Sequence, residues 1–337
     1  MFYSFNIFKK PIINKIWLII VSVYFYLSFK NAIWFLVFTI FFNYFIGKAI
    51  LKTKSVFLLY IGLVENVGLL FFIKYTDFII NLSNRFLKSE ISFLSLALPV
   101  GMSFYVFRFV SYLFDCYKGK AKNYALLDFC LYSLYFPIFI MGPIARHNDI
   151  IPKLNNFNCF NLDNFKKGLF IFSIGLTKKI LIANPLLEIT GQALDLTNPA
   201  PIALLFGAFT NFFAFYFDFS GYSDMGIGVS LLFNIDLKDN FNSPYKARNI
   251  QDYWKRWHIS LTKFLNEYLF SSIFKPGNSA FRFCVATMVT FFVSGLWHGS
   301  GVNYILWGLI HGFCMCIIAI TALHSTKKYL LPKFAAR

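Results

Sequence analysis

Long stretches without charge alternate with short basic clusters along this chain. Ile16–Phe29 and Asn31–Gly47 contain no charged residue, and Phe283–Thr326 contains none in 44 residues. A helix needs about 20 mostly apolar residues to cross a bilayer, and 44 residues at 1.5 Å per residue reach about 66 Å. The pattern therefore predicts two helices within Phe283–Thr326, with the polar, glycine-containing segment Gly299–Asn303 between them.

Other apolar runs are interrupted by one or two charges, prolines or glycines. They are Ser55–Ile73, Ile91–Phe107, Phe129–Ala145, Gly168–Leu187, Leu196–Phe217 and the shorter Met225–Ile235. Such continuous apolar runs favour helices over the alternating strands of an outer-membrane barrel. We expect an all-α integral membrane protein, a bundle of roughly eight to ten membrane helices, some of them short or re-entrant.

Composition supports this expectation and excludes several other classes. Hydrophobic residues make up 58% of the 337 positions and charged residues 14%, whereas soluble domains contain about 25% charged residues. So apolar a composition excludes both a disordered chain and a soluble protein with a single core. The net charge of +17 does not indicate nucleic-acid binding, because the basic residues lie in short clusters between apolar runs. That arrangement is typical of loops that meet anionic lipid headgroups.

One segment, Asp236–Glu267, contains 10 charged residues in 32 positions. Its first part is rich in turn formers and predicts a loop. Asn249, followed three positions later by Asp252, predicts the start of a helix. In that helix one stripe is apolar, which predicts a single amphipathic helix at the membrane interface. The stripe consists of Trp254, Trp257, Leu261, Phe264 and Leu265.

Two histidines stand out from this pattern. His258 falls on the apolar stripe, where it is either packed against tryptophan or directed into a membrane cavity. His298 ends an apolar run before a glycine-rich break, and ionisable groups at membrane depth are costly and therefore functional candidates. The alternative for His298 is a helix-end histidine at the water interface. We interpret His311, inside the next apolar run, as structural or supporting.

Other polar groups occur within apolar surroundings. The densest group, Asp218–Asp224, has two carboxylates and three hydroxyls in seven residues. It predicts either a substrate-facing loop or a broken helix tied by its own hydrogen bonds, while for each carboxylate alone an ion pair is the simpler role. No metal site is expected, because neither a His-x3-His nor a paired Cys-x2-Cys spacing occurs.

Several motifs in order resemble the membrane-bound O-acyltransferase (MBOAT) family. Residues 216–270 contain Asp-Phe-Ser-Gly-Tyr-Ser-Asp-Met, Asn-Phe-Asn-Ser-Pro-Tyr and Tyr-Trp-Lys-Arg-Trp-His-Ile-Ser-Leu, and Gly-Leu-Trp-His-Gly-Ser-Gly follows. Upstream, Leu98-Pro-Val-Gly-Met-Ser-Phe-Tyr105 and Gly142-Pro-Ile-Ala-Arg146 also match. Within that family the chain is most similar, over about Ala32 to Gly312, to the bacterial branch that acetylates alginate or peptidoglycan, which is related to the teichoic-acid D-alanyl transfer protein.

The resemblance implies a ring of helices around a central tunnel that contains two catalytic histidines, His298 and His258. It also suggests two further sets of site residues. The supporting tunnel candidates are Trp254, Trp257, Asp218, Asp224, Asn242 and Trp297. The candidates for contact with the acyl donor are Lys255, Arg256 and Lys263, for which contact with lipid headgroups is an equal alternative.

The family resemblance also implies an activity. An acyl group, most simply acetyl, is expected to pass from a cytoplasmic thioester, acyl-CoA or an acylated carrier protein, to a hydroxyl of an envelope polysaccharide or peptidoglycan. An extracytoplasmic partner acyltransferase would complete the transfer, and no bound cofactor is expected. The implied location is the bacterial cytoplasmic (inner) membrane, with several passes and contacts to lipids but not to nucleic acid.

Three alternatives remain open beside this expectation: D-alanyl transfer to teichoic acid, a transporter or flippase, and an inactive relic. The third arises because the chain stops at Arg337, about one helix beyond His311, whereas the family pattern has one more segment at the start and more spans at the end. We therefore expect a single membrane domain over residues 1–337, containing the polar segment 236–267, that is a short variant or a truncated product.

Overall fold

The computed structural model describes residues 11–29, 33–155, 160–194 and 200–324. Within these ranges the chain folds into helices joined by turns and irregular segments, with no β-strand, which confirms the predicted all-α class. In chain order the α-helices are α1 (Pro11–Leu27), α2 (Ile33–Thr53), α3 (Val56–Leu63), α4 (Leu69–Leu87), α5 (Met102–Tyr117), α6 (Leu126–Leu134), α7 (His147–Asn155), α8 (Leu162–Thr177), α9 (Asn184–Leu194), α10 (Pro201–Leu232), α11 (Ile250–Arg256), α12 (Ile259–Leu265), α13 (Ser271–Ile273), α14 (Ala280–His298) and α15 (Val302–His324).

Six stretches of the described chain are long and apolar enough to cross a membrane. They are Ile33–Thr53, Val56–Leu87, Leu162–Ala193, Pro201–Leu232, Ala280–His298 and Val302–Thr321. A shorter apolar helix covers Ile12–Leu27. The two helices predicted within Phe283–Thr326 are confirmed, because α14 ends at His298 and α15 begins at Val302.

The chain divides into two compact units, the first of which combines Met1–Ile33 with Tyr124–Phe241. In this unit α8 packs closely along α10. A methyl group added at Gly175 would lie 2.5 Å from the backbone oxygen of Gly221, so that only glycine permits this approach. Between α8 and α9 the helix widens into a π-helical turn, Lys178–Ala183.

Asp218–Asp224 lies inside α10, so the predictions of a loop or a broken helix are wrong. Lys178 Nζ donates to Asp224 Oδ2 at 2.5 Å, and Lys179 Nζ donates to Asp218 Oδ1. Both lysines lie in the π-helical turn beside α10. Each carboxylate thus has an ammonium partner, which a charge within an apolar helix requires. α10 continues as a helix through this polar stretch.

The apolar run Phe129–Ala145 does not form one helix. α6 ends at Leu134, and Phe136–Ile138 forms a single 3₁₀ turn. Pro137 lacks a backbone N–H and therefore cannot continue the α-helical hydrogen bonding. The segment that follows is irregular up to α7.

The second unit combines Trp34–Asn123 with Asn242–Arg337. Its most buried helix is α5, in which Tyr105, Arg108 and Phe109 are at most 1% exposed. At the end of α5, Asp115 accepts a hydrogen bond from the Tyr268 hydroxyl at 3.0 Å. α5 thus forms the centre of the unit that contains His258 and His298.

The apolar run Ile91–Phe107, which contains Pro99 and Gly101, is helical only from Met102. Leu98 precedes Pro99, and the residue before a proline disfavours the helical conformation. Earlier in the segment, the two carboxylate oxygens of Asp77 accept hydrogen bonds from the backbone N–H groups of Leu94 and Ser95. These bonds satisfy backbone groups that a helix would otherwise use.

The amphipathic helix predicted after Asn249 exists, but it is divided in two. Asn249 caps α11 by accepting from the Asp252 N–H at 2.8 Å, as predicted. α11 ends at Arg256, and α12 begins at Ile259. His258, between them, adopts a left-handed backbone conformation with φ of 41°.

Candidate active site

His258 forms the corner between α11 and α12, and its side chain is 1% exposed. Its ring centroid lies 6.5 Å from that of Phe104 and 6.3 Å from that of Trp297. Burial, assisted by the neighbouring His298, lowers the pKa of His258 well below its usual value of 6.5. The imidazole is therefore neutral at physiological pH and donates a hydrogen bond from one ring nitrogen while the other nitrogen accepts one.

Trp297 is held by the first turns of α5. Its indole Nε1 donates to the backbone oxygen of Ser103 at 3.0 Å. The ring stacks on Phe107 at 5.1 Å and meets Phe104 edge-on at 5.5 Å. A half-buried tryptophan with its N–H satisfied and with rings on two sides has little rotational freedom, so Trp297 is a fixed wall of the site.

His298 is the last residue of α14. Its ring lies 4.7 Å from Trp297 and 4.9 Å from Trp307, edge-on to both. After it, a methyl group added at Gly299 would lie 2.1 Å from the Tyr304 ring, so a side chain at that position would displace the tyrosine. The two histidines of the sequence prediction are thus both neighbours of the Trp297 ring.

A second group of rings continues from His298 along α15. Trp307 lies 4.8 Å from His311, and His311 lies 5.2 Å from Trp254 of α11. Trp254 also meets Phe291 at 5.2 Å. Trp254, a predicted tunnel residue, therefore packs on His311, and Trp297 packs beside both candidate catalytic histidines.

A pocket of about 680 Å³, including its mouth, opens beside Trp254. Its walls come from α11, α12, α14 and α15 and are mostly apolar, with Leu265, Phe291 and Met315 among them. Trp254 is 5% exposed, and its indole Nε1 finds no hydrogen-bond acceptor among the described residues. Apolar walls of this kind hold water poorly.

The remaining predicted residues of the polar segment lie around α11 and α12. Trp257 is buried and stacks on Tyr253 at 5.6 Å. Arg256, one of the predicted donor contacts, forms an ion pair with Asp252 at 2.9 Å. Its backbone oxygen accepts from the N–H of Asn242, whose side chain is exposed. The two other predicted donor contacts, Lys255 and Lys263, are exposed.

Asp218 and Asp224 belong to the first unit, whereas the two histidines belong to the second. The lysine partners of these carboxylates come from the π-helical turn of the first unit. The described contacts of Asp218 and Asp224 are therefore those of ion pairs between helices.

The family model for membrane-bound O-acyltransferases matches residues 18–330 of this chain. The chain belongs to this family. Its resemblance to MBOAT proteins, stated above from the motifs, is thereby confirmed, and so is its place among acyltransferases and multi-pass membrane proteins.

The names of curated relatives of this MBOAT chain refer to peptidoglycan, alginate or teichoic acid. It is 38% identical to a peptidoglycan O-acetyltransferase of Helicobacter pylori, over 97% of this chain and 69% of that protein. It is 34% identical to the alginate O-acetylase AlgI of Pseudomonas aeruginosa, over 86% of this chain and 58% of that protein. It is 28% identical to a teichoic acid D-alanyltransferase of Streptococcus thermophilus, over 65% of this chain and 56% of that protein.

The sequence pattern did not identify Lys74 and Tyr75 of α4. Lys74 Nζ donates to the backbone oxygen of Trp297, and Tyr75 Oη contacts the carbonyl of Gly299 at 2.9 Å. The available signal was Lys74 itself, which directly follows the apolar run Ser55–Ile73. A charge within a membrane helix requires a partner, so it indicates a contact even when the partner is unknown.

Proposed function

We propose that this chain is the membrane-embedded part of an O-acyltransferase that moves an acetyl group from a thioester donor to a hydroxyl of a cell-envelope polysaccharide or peptidoglycan. The observation that carries the proposal is the meeting of His258 and His298 at the Trp297 ring, inside an aromatic site. Family membership supports the reaction class, and the peptidoglycan and alginate relatives support the acetyl group and the acceptor.

In the proposed reaction His298 acts as the general base. Its neutral imidazole removes the proton from the acceptor hydroxyl as the oxygen attacks the thioester carbonyl carbon. A tetrahedral oxyanion forms, then collapses as the carbon–sulfur bond breaks. The imidazolium returns the proton to the departing thiolate, so that an ester and a free thiol are released.

His258 is proposed to orient the acyl donor or to stabilise the oxyanion. It is buried and remains neutral, so it can donate one hydrogen bond without bringing a full charge into the site. Trp297 packs beside both imidazoles and limits the directions in which either ring can turn. The fixed arrangement favours hydrogen bonds that strengthen as charge develops.

We place the donor on the cytoplasmic side of the inner membrane, because acyl-CoA and acylated carrier proteins are cytoplasmic thioesters. Lys255 and Lys263 are exposed and could meet a phosphate-bearing donor or an acidic carrier. The acceptor polymer lies outside that membrane, so an extracytoplasmic partner protein is proposed to receive the acyl group and complete the transfer.

The teichoic acid D-alanyltransferase relatives make D-alanyl transfer the second candidate. The two reactions share the base and the thioester and differ in the mass of the group that is transferred. Mass spectrometry of the modified polymer distinguishes them, since acetyl and D-alanyl esters give different mass increments.

The central test replaces His298 by Gln in cells whose own copy is deleted. Loss of a general base costs about 10²- to 10⁴-fold, so ester-linked acetyl in the envelope polymer should fall to background. Protein amount in the membrane is measured in the same cells by immunoblotting. Full acetylation by His298→Gln at a normal protein level would refute the assignment of the base.

His311→Gln is the matched control, because His311 lies in the same aromatic cluster and contacts Trp307, as His298 does. It should retain acetylation to within a few-fold. If both variants lose acetylation equally at normal protein levels, packing of the cluster, rather than the chemistry of His298, explains the loss. His258→Gln is expected to reduce acetylation more than His311→Gln.

A further inference from the structure

Side chains from α4 satisfy the C-terminal end of α14. The last carbonyl groups of an α-helix have no partner within the helix. Here Lys74 Nζ donates to the oxygen of Trp297, while the Tyr75 hydroxyl lies between the oxygens of Leu296 and Gly299. These contacts join positions more than 220 residues apart in the chain.

The surroundings of Lys74 and Tyr75 on α4 favour these contacts. Lys74 is partly buried within a stretch apolar enough to cross a membrane, where an ammonium is costly without a partner. The negative end of the α14 dipole and its free carbonyl groups provide that partner. Tyr75 is 6% exposed and stacks on Phe71 at 4.8 Å, which fixes the direction of its hydroxyl.

One of these contacts falls on the peptide group that directly precedes His298, and the Tyr75 contacts fall on the carbonyl groups two positions before and one position after His298. The Trp297 carbonyl belongs to the planar peptide unit that joins Trp297 to His298, so its orientation sets the direction in which the His298 side chain leaves the backbone. Gly299 follows directly, and its carbonyl is held by Tyr75. On the other side, Ser103 holds the Trp297 indole.

We infer that Lys74 and Tyr75 are positioning residues that aim the His298 imidazole at the reacting hydroxyl. The inference rests on the proposed function, in which His298 is the general base. It assigns to α4 a role in the reaction through the backbone of α14, without contact between α4 and the substrate. A misplacement of about 1 Å in a catalytic group can cost about 100-fold in rate.

Three substitutions isolate the contact. Lys74→Met removes the ammonium and keeps most of the stem, Lys74→Arg retains a donor, and Tyr75→Phe removes the hydroxyl and keeps the stacked ring. The matched control is Thr76→Val on the same helix, because the Thr76 hydroxyl donates to Phe72 of its own helix. Membranes containing each variant are assayed for release of coenzyme A from acetyl-coenzyme A and for acetyl transfer to the envelope polymer.

Lys74→Met and Tyr75→Phe should lower kcat by about 10- to 100-fold and leave KM for acetyl-coenzyme A within about 3-fold. Lys74→Arg should recover a substantial part of kcat, and Thr76→Val should behave as the wild type. An unchanged kcat in both Lys74→Met and Tyr75→Phe would overturn the inference, as would a loss explained by lower protein amount or a lower thermal midpoint.

A second readout does not depend on acyl transfer. Diethyl pyrocarbonate modifies accessible imidazoles, and mass spectrometry of the peptide that contains His298 gives its rate of modification. Lys74→Met and Tyr75→Phe should change that rate several-fold relative to Thr76→Val, whereas an unchanged rate would overturn the inference. If the rate changes but the wild type transfers no acyl group, the proposed function fails while the positioning of His298 by α4 stands.

Discussion

The left-handed backbone at His258 gives a stability prediction with a definite sign. A side chain with a Cβ in this conformation costs about 1–2 kcal/mol, while glycine adopts it freely. Relative to alanine, glycine lowers the free energy of unfolding by about 0.4–1 kcal/mol, because it increases the conformational entropy of the unfolded chain. Comparing His258→Gly with His258→Ala, which both remove the imidazole, we expect glycine to be the more stable by about 0.5–1 kcal/mol.

A continuous helix through this position, as the apolar stripe alone predicts, would give the opposite order. In a helix interior alanine is more stable than glycine by about 0.5–1 kcal/mol. Lys263 supplies the control, because it is exposed and lies within α12. Lys263→Ala should therefore be more stable than Lys263→Gly, while the order at His258 is reversed.

The assay is thermal unfolding of the four purified variants in one detergent, followed by tryptophan fluorescence. The detergent and the scan rate are the same for both members of a glycine–alanine pair. Only the sign of the difference between their thermal midpoints is therefore needed. If alanine is the more stable at both positions, the corner at His258 is absent and the two helices α11 and α12 are one. His258→Asn, which tolerates the left-handed conformation but lacks the imidazole, then separates backbone from chemistry, because it should fold and lack activity.

Three further predictions concern the surroundings of the site. Asn249→Ala should lower stability by about 1 kcal/mol and Asn249→Asp should not, because only alanine cannot accept from the Asp252 N–H. Equal thermal midpoints of these two variants would contradict this. Gly308→Ala places a methyl 2.4 Å from the Phe291 oxygen and should cost about 1–3 kcal/mol, which wild-type thermal stability would refute. Burial lowers the pKa of His258. Below about pH 6.5 the unfolded chain therefore binds a proton at His258 and the folded chain does not, so the free energy of unfolding falls as the pH falls. Acidification should thus lower the thermal midpoint of the wild type more than that of His258→Gln, and an equal fall would contradict the shift.

Local sequence patterns predicted the parts of the fold that depend on neighbouring residues. The cap at Asn249 and the ion pair between Asp252 and Arg256 follow from spacings of three and four residues, which bring side chains together on any helix. The separation of α14 from α15 follows from the polar and glycine-containing segment Gly299–Asn303. These features need no knowledge of the rest of the chain.

The corner at His258 was not predictable from the same patterns. Trp254, Trp257 and Leu261 are all buried, as the stripe requires, although the helix breaks between them. The burial pattern of two short helices and that of one long helix are therefore the same along this stretch. What differs is the backbone of one residue, for which histidine is an unusual rather than a diagnostic choice.

The contact between Lys74 and Trp297 was also beyond reach, since it joins positions 223 residues apart. A lysine in an apolar helix predicts that a partner exists, while the identity of that partner depends on how α4 packs against α14. The paired motifs around His258 and His298 carry the family resemblance, but they do not state which tryptophan packs beside both imidazoles. The structure assigns that place to Trp297 and packs Trp254 on His311.

Aromatic packing gives this site an orientation that hydrogen bonds alone would not supply. An imidazole that must accept and return a proton needs at least one nitrogen without a permanent partner, so its direction has to be fixed by shape. Tryptophan and phenylalanine turn about only two side-chain bonds and present large rigid faces. The contacts of His298 with Trp297 and Trp307 meet this need. The aromatic content of 21% thus serves the membrane environment and the proposed chemistry together.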